Sequence, residues 1–266
     1  MKLYIKKLLR EGLLSEVNIF NFNDDINQKL ISLIKTGDKD NIELAYGLGK
    51  GQKINVDELV KSIYGDLFDL VKGDTIKEKI PFLFSDELDL SSNNLTSLPE
   101  SIGNLTNLKG LDLGWNKLTS LKGIEKLTNL ERLDLGRNGL TSLKGIEKLT
   151  NLERLDLGDN KLTSIEGIGN LTNLEWLSLP SNNLTSLPES IGNLTNLKGL
   201  DLMYNELTDL PESIGNLTKL EGLDLDTSQI SDKEIERIKE LLPADLIIYD
   251  MGDYEYDSDW DAYDYE

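Results

Sequence analysis

The residues whose types and spacing could do chemistry are carboxylates and aromatics, and both follow one short pattern, L-x-x-L-x-L-x-x-N-x-L. Copies of it open at Leu108, Leu130, Leu152, Leu174, Leu197 and Leu220, with a degenerate first copy at Ser85. Position five of the copies reads Asp89, Asp112, Asp134, Asp156, Ser178, Asp201, Asp224. On parallel strands about 4.8 Å apart, such a row repels itself by roughly 1 kcal/mol per pair in water. Arg132 and Arg154 stand at position three beside it. They either neutralise the row or form with it a charged patch for a partner of mixed polarity. Trp176 takes position three of the next copy. Trp115, Arg137, Asp159 and Tyr204 share position eight, and Met203 stands at position seven, where other copies have glycine or a small residue. An exposed tryptophan on a polar sheet has no folding rationale of its own, and Trp, Tyr and Arg dominate interface hot spots. The other reading is a tryptophan lying flat on neighbouring strands, stacked against an arginine. The expected partner-binding set is Trp115, Arg132, Arg137, Arg154, Asp159, Trp176, Met203 and Tyr204.

Catalysis finds little support. The chain has no histidine and no cysteine. That removes histidine-based triads, thiolate chemistry, disulfides and most zinc sites. An enzyme would have to rely on Asp, Glu, Lys, Ser or Tyr, and no constellation of them stands out. The Gly47–Lys53 stretch GLGKGQK lacks the spacing of a phosphate loop and reads as a helix end. Asp257, Asp259 and Asp261 match the opening of a calcium loop, but Ala262 replaces the required glycine and four residues follow it. The expectation is a non-enzyme with no cofactor and no metal.

The elements that position these residues follow from the same pattern. In the copy from Leu108, Leu111 and Leu113 alternate with Gly110 and Asp112, the period of a short strand. Leu118, Leu121, Ile124 and Leu127 supply the other inward side chains. Asn116 is expected to turn the chain, bonding nearby backbone and tolerating a left-handed conformation. The column Asn93, Asn116, Asn138, Asn160, Asn182, Asn205 would make a ladder, and Ser228 ends it. A fixed period of this length marks a solenoid, which stacks repeats into an extended binding surface.

These residues resemble the leucine-rich-repeat family, in two dialects over roughly residues 85–230. The longer copies read LTSLPESIGNLTNL, and the shorter read LTSLKGIEKLTNLERLDLGRN, similar to internalin-type repeats. The resemblance implies a bacterial or phage-borne α/β solenoid, with a curved parallel sheet on the concave face and irregular or 3₁₀ turns on the convex side. It also implies a protein or peptide ligand on the concave face.

Outside the repeats, residues 1–84 read as a helical N-terminal cap. A first amphipathic helix carries Leu3, Ile5, Leu8, Leu9 and Leu13. A second spans Asp24 to Lys35, a third starts at Asp40 and ends near Gly49 and Gly51, and a fourth is capped by Asn55. Pro81 to Ser85 reads as a strand leading into the array. Residues 231–249 read as a C-terminal cap, a helix after Ser231 and a last strand at 246–249. Residues 250–266 carry eight acids and five aromatics and are expected either to be disordered or to fold back onto the concave face as a weak, salt-sensitive competitor.

Net charge is −20. Residues 85–230 carry 12 positive and 22 negative side chains, and residues 250–266 no positive ones. With no basic stripe, nucleic acid and anionic membrane are not expected partners. The N-terminal MKLYIKKLLREGLL has no continuous apolar run, which predicts neither signal peptide nor membrane span, hence a cytoplasmic protein unless a non-classical route exports it, while the oligomeric state is left open with a monomer favoured. The function expected is protein or peptide recognition on the concave face. Two alternatives stay open: an effector-like protein acting on host proteins by binding alone, and an acidic nucleic-acid mimic working through the tail.

Overall fold

A computed structural model describes residues 22–71, 75–243 and 247–249. The N-terminal amphipathic stretch, the acidic-aromatic tail and the calcium-like triplet lie outside the described residues. The chain forms two compact units, the first taking in the N-terminal helices together with residues 99–108 and the second the remainder of the repeats.

In the first unit, α1 (Phe22–Ile34), α2 (Lys39–Gln52), α3 (Val56–Phe68) and α4 (Ile76–Leu83) bury Leu33, Ile34, Ala45, Val60, Tyr64, Leu67, Ile80 and Leu83 among themselves. Three caps set the helix starts. The side chains of Asp38, Asn55 and Thr75 accept from the backbone N–H three residues on, and Glu78 returns the bond to Thr75 in a capping box. Two expectations are corrected here. α2 starts after Asp38 rather than at Asp40, while its end at Gln52, beside Gly51, is where the glycines were expected to place it. Gly49 belongs inside because a Cβ there would lie 2.4 Å from Val56 Cγ2, so glycine lets α2 meet the start of α3. Pro81 to Ser85 is not a strand. Pro81 sits inside α4, whose capping box and buried Ile80 and Leu83 outweigh the one helical bond that proline cannot donate. Asp66 of α3 accepts from the hydroxyl and N–H of Ser101, and Asn104 donates to Ile63 O at 3.3 Å, which ties residues 99–108 to the helices.

The second unit is built on parallel strands: β2 (Gly110–Asp112), β3 (Arg132–Asp134), β4 (Arg154–Asp156), β5 (Trp176–Ser178), β6 (Gly199–Asp201), β7 (Gly222–Asp224) and β8 (Ile247–Tyr249). With β1 (Glu87–Asp89) ahead of them, they stand in one sheet in chain order. Each pairs with the next so that equivalent positions face each other, Arg132 with Arg154 and Asp134 with Asp156. Between β7 and β8, α5 (Asp232–Leu241) starts on the Ser231 cap and buries Ile238.

The asparagine column forms the expected ladder of side chain–backbone bonds. Asn182 Nδ2 donates to Leu157 O, Leu179 O and Pro180 O, and its Oδ1 accepts from Leu162 N–H at 3.0 Å. Asn116, Asn138, Asn160 and Asn205 repeat this set. Each amide thereby joins two repeats. The left-handed residue is not this asparagine but the one before it: Ser92, Trp115, Arg137, Asp159, Ser181 and Tyr204 all have φ between 52° and 55°. The turn concentrates its backbone strain at position eight, which frees position nine to point inward.

The two dialects differ on the side opposite the strands. Shorter repeats turn at Gly123, Gly145 and Gly167, with φ of 103°, 103° and 90°, into three-residue 3₁₀ segments. Longer repeats use Pro99, Pro188 or Pro211 and a five-residue segment instead. The additional residue is absorbed there, leaving strand register unchanged.

Candidate functional site

Leucines at positions four and six of each copy are buried, Leu133 and Leu135 among them, so positions three and five face out from the sheet. Along this face position three runs Gly110, Arg132, Arg154, Trp176, Gly199, Gly222. A Cβ on Gly199 would lie 2.2 Å from Trp176 Cε3 and 2.3 Å from Cζ3. The six-membered ring of the indole therefore occupies the place of the side chain that Gly199 lacks. At Gly222, one strand further, a Cβ would meet nothing within 4 Å.

Position five is more than a row of like charges. Asp112, Asp134, Asp156 and Asp201 each accept, through Oδ1, the N–H two residues on, at 2.7–2.9 Å. These bonds close the turn after each strand. Sequence reasoning missed this role, although the Asp-x-Gly spacing of three of the four copies was available as its signal. Burial pushes the Asp134 carboxyl up to about 6 and that of Asp201 up to about 7, with neighbouring aspartates adding to the rise and the turn N–H opposing it. Asp112 and Asp156 are raised for the same first cause. Ser178 interrupts the row and donates to Asp156 Oδ1 at 3.3 Å, an opposing contribution.

Position eight makes a second line, on the turn that follows the strands. Trp115 is 60 % exposed and Tyr204 58 %. The Arg137 guanidinium lies 3.8 Å from the centre of the Trp115 ring, and its Nε is 3.3 Å from Asp159 Oδ2. Trp115, Arg137 and Asp159 are thus consecutive members of one stack, two repeats short of Tyr204. Left-handed φ is uncommon for bulky side chains, and strained positions are seldom filled by them without a reason beyond folding.

Comparison with known families places this pattern. "Leucine-rich repeat region" matches residues 155–251, "Leucine Rich repeats (2 copies)" residues 128–170, and "Leucine rich repeat" residues 86–140. The chain is a leucine-rich-repeat protein. Among solved structures it is similar to a leucine-rich-repeat protein of Leptospira interrogans at 42 % identity, over 58 % of this chain and 41 % of that one, with a TM-score of 0.53. It is similar in fold to two internalins of Listeria monocytogenes. Internalin F shares 24 % identity over 66 % of this chain and 51 % of its own, with a TM-score of 0.53. Internalin C2 shares 23 % over 72 % and 90 %, with a TM-score of 0.55. The chain spans about 41 % and 51 % of the first two structures. No curated protein sequence matches it.

Leucine-rich-repeat domains are in general protein-interaction modules, typically without enzymatic activity. In this one the expected site residues separate into two lines. Arg132, Arg154 and Trp176 lie on the sheet face at position three. Trp115, Arg137, Asp159 and Tyr204 lie on the adjoining turn. Met203 is only 4 % exposed and offers a partner little surface. The alternative reading of the tryptophans holds for both in part, since Trp176 lies against Gly199 and Trp115 carries an arginine. Among the described residues no group of three or more His, Cys, Asp or Glu could hold a metal ion, and no helix is long and apolar enough to cross a membrane.

The raised carboxyls of the repeats predict an acid-stabilised domain. A carboxyl with a raised pKa binds its proton more tightly folded than unfolded. Its stabilisation is full below about pH 4 and is lost as pH rises through about 6 for Asp134 and about 7 for Asp201. The melting temperature is therefore expected to be higher at pH 5 than at pH 8. Asp201→Asn should flatten that difference while keeping an acceptor for Met203 N–H. A scan in which stability rises from pH 5 to 8 would contradict this.

Proposed function

We propose that the repeat array recognises a protein or peptide partner through the open face of the sheet, the concave face in this family, without catalysing a reaction. The observation that carries the reading is the pair of aromatic features on neighbouring lines. Trp176 is held in place on the sheet by Gly199, and Trp115 and Tyr204 project from left-handed turn positions beside it. Rigid aromatics flanked by arginines on a fixed frame are the composition of an interface hot spot. Arg132, Arg154, Arg137 and Asp159 give the same surface charges of both signs, which select a partner by register more than by strength.

The test is retention of a partner by the wild-type chain and by variants. Trp176→Ala should weaken binding by about 2 kcal/mol, and Trp115→Ala with Trp176→Ala by more, with unchanged melting temperature. Substitutions on the opposite turns, such as Lys122→Ala and Lys144→Ala, should leave affinity intact. Retention of full affinity by the double tryptophan variant sinks the reading.

A further inference from the structure

We infer that the end of the sheet face from Trp176 to Gly222 accepts an arginine or lysine side chain of the partner, so that the recognised segment is a basic peptide. The inference rests on the sheet-face reading and adds the chemistry of the occupant. Three observations converge. First, the Trp176 ring lies over Gly199 and makes an aromatic wall, and the next position along, Gly222, has open space where a side chain would stand. Gly222 lies one strand spacing, about 4.8 Å, from Gly199, and β8 pairs with it on the other side, Ile247 facing Gly222. Second, the groups around it are mainly acidic. Asp201 and Asp224 adjoin at position five of β6 and β7, with Asp224 buried and Asp201 the more open of the two, and Glu175 and Glu221 stand at position two of the fifth and seventh copies. The one lysine in this group, Lys198, is held by Glu175 at 2.8 Å and also feels Glu221. Third, the arginines of position three, Arg132 and Arg154, stand in β3 and β4, while β6 and β7 have glycine there. The position-three cations therefore stop at repeat four, while the position-five carboxylates resume at repeats six and seven, after Ser178, with no arginine beside them.

A guanidinium or ammonium placed over Gly222 would have the indole over Gly199 on one side and the Asp201 carboxylate two residues along the neighbouring strand. Both attractions strengthen in a partly desolvated setting. The geometry also couples binding to protons. Asp201, raised to about 7 by burial and by Asp224 and Asp156, is partly protonated near neutrality. A cation beside it favours the ionised form. Binding then releases protons and tightens as pH rises from 6 to 8.

The probes are oligoarginine and oligolysine peptides, with oligoglutamate and a glycine–serine peptide as controls, at roughly 0.15 M salt, where surface charges beyond about 8 Å are screened. Calorimetry gives affinity and proton release, and the indole N–H signal of Trp176, assigned through Trp176→Ala, reports location. The basic peptides should shift that signal. Asp201→Asn and Gly222→Leu should each weaken them about tenfold, the size of one lost charge-assisted contact. Gly222→Leu enters open space and should melt like wild type. Glu189→Gln, an equal change of charge on the opposite turns, should have no effect. Equal losses in Asp201→Asn and Glu189→Gln would show bulk attraction to an acidic chain and overturn the inference. A glycine–serine peptide that shifts the Trp176 signal as far would overturn the cationic chemistry and leave the sheet-face reading standing. A natural partner indifferent to Trp176→Ala would instead remove the sheet-face reading itself.

Discussion

Asn182→Ala is expected to destabilise the array by about 3–5 kcal/mol. The side chain is buried and makes four bonds to the backbone of two repeats. Alanine leaves Leu162 N–H without its acceptor and removes a donor from Leu157, Leu179 and Pro180 carbonyls. A buried group stripped of its partner costs roughly 1–3 kcal/mol, and at least two groups are affected. Asn182→Asp should be no milder, because a carboxylate would face those carbonyl oxygens. The exposed neighbour Asn183→Ala should stay within about 0.5 kcal/mol of wild type. Urea unfolding monitored by circular dichroism measures all three. Equal midpoints for Asn182→Ala and Asn183→Ala would show that the ladder does not hold the repeats together.

The second large effect contrasts two adjacent residues of one strand and its turn. Leu135→Ala should cost about 2–5 kcal/mol, because Leu135 is wholly buried and its neighbours in the column are fixed by the repeats on either side. Asp134→Asn should be neutral at pH 5 and stabilising at pH 8. The amide oxygen still accepts Gly136 N–H, and the ionised neighbours Asp112 and Asp156 lose a like charge. A large loss for Asp134→Asn at both pH values would mean that the carboxylate itself holds the turn. A repeat array transmits stability mainly between neighbours, so the Leu135→Ala loss should also appear as earlier unfolding of the repeats around it.

Much of this fold was legible because the repeat states it seven times. Each copy shows the same leucines inward, and the first six the same asparagine at the turn, so strands, spacing and the end at Ser228 follow from pattern alone. The position of the left-handed residue was not legible. Sequence points to asparagine for that conformation, whereas the array uses asparagine for its four inward bonds and puts Trp115, Arg137 and Tyr204 where φ is positive. Pro81 misled for a similar reason: local preference suggested an extended segment, but the Thr75 capping box and two buried side chains keep the helix going. At the candidate site, the tryptophans and arginines were visible as departures from the repeat. Their division into a sheet line and a turn line, the burial of Met203, and the support of Trp176 by Gly199 depend on three-dimensional placement that single-residue reading does not contain. The aspartate turn bonds lay within reach of sequence reasoning, but the repulsion of the row drew attention away from them.

A partner bound as proposed occupies the open face of the sheet and the turn beside it. Covalent footprinting of the array with and without its partner tests this most directly, reading oxidation of aromatics and acetylation of lysines together. The account predicts that Trp115, Trp176 and Tyr204 lose reactivity on binding, while Lys122, Lys126, Lys144 and Lys148 on the opposite turns keep theirs. Protection of those four lysines, with the three aromatics as reactive as in the free chain, would contradict it.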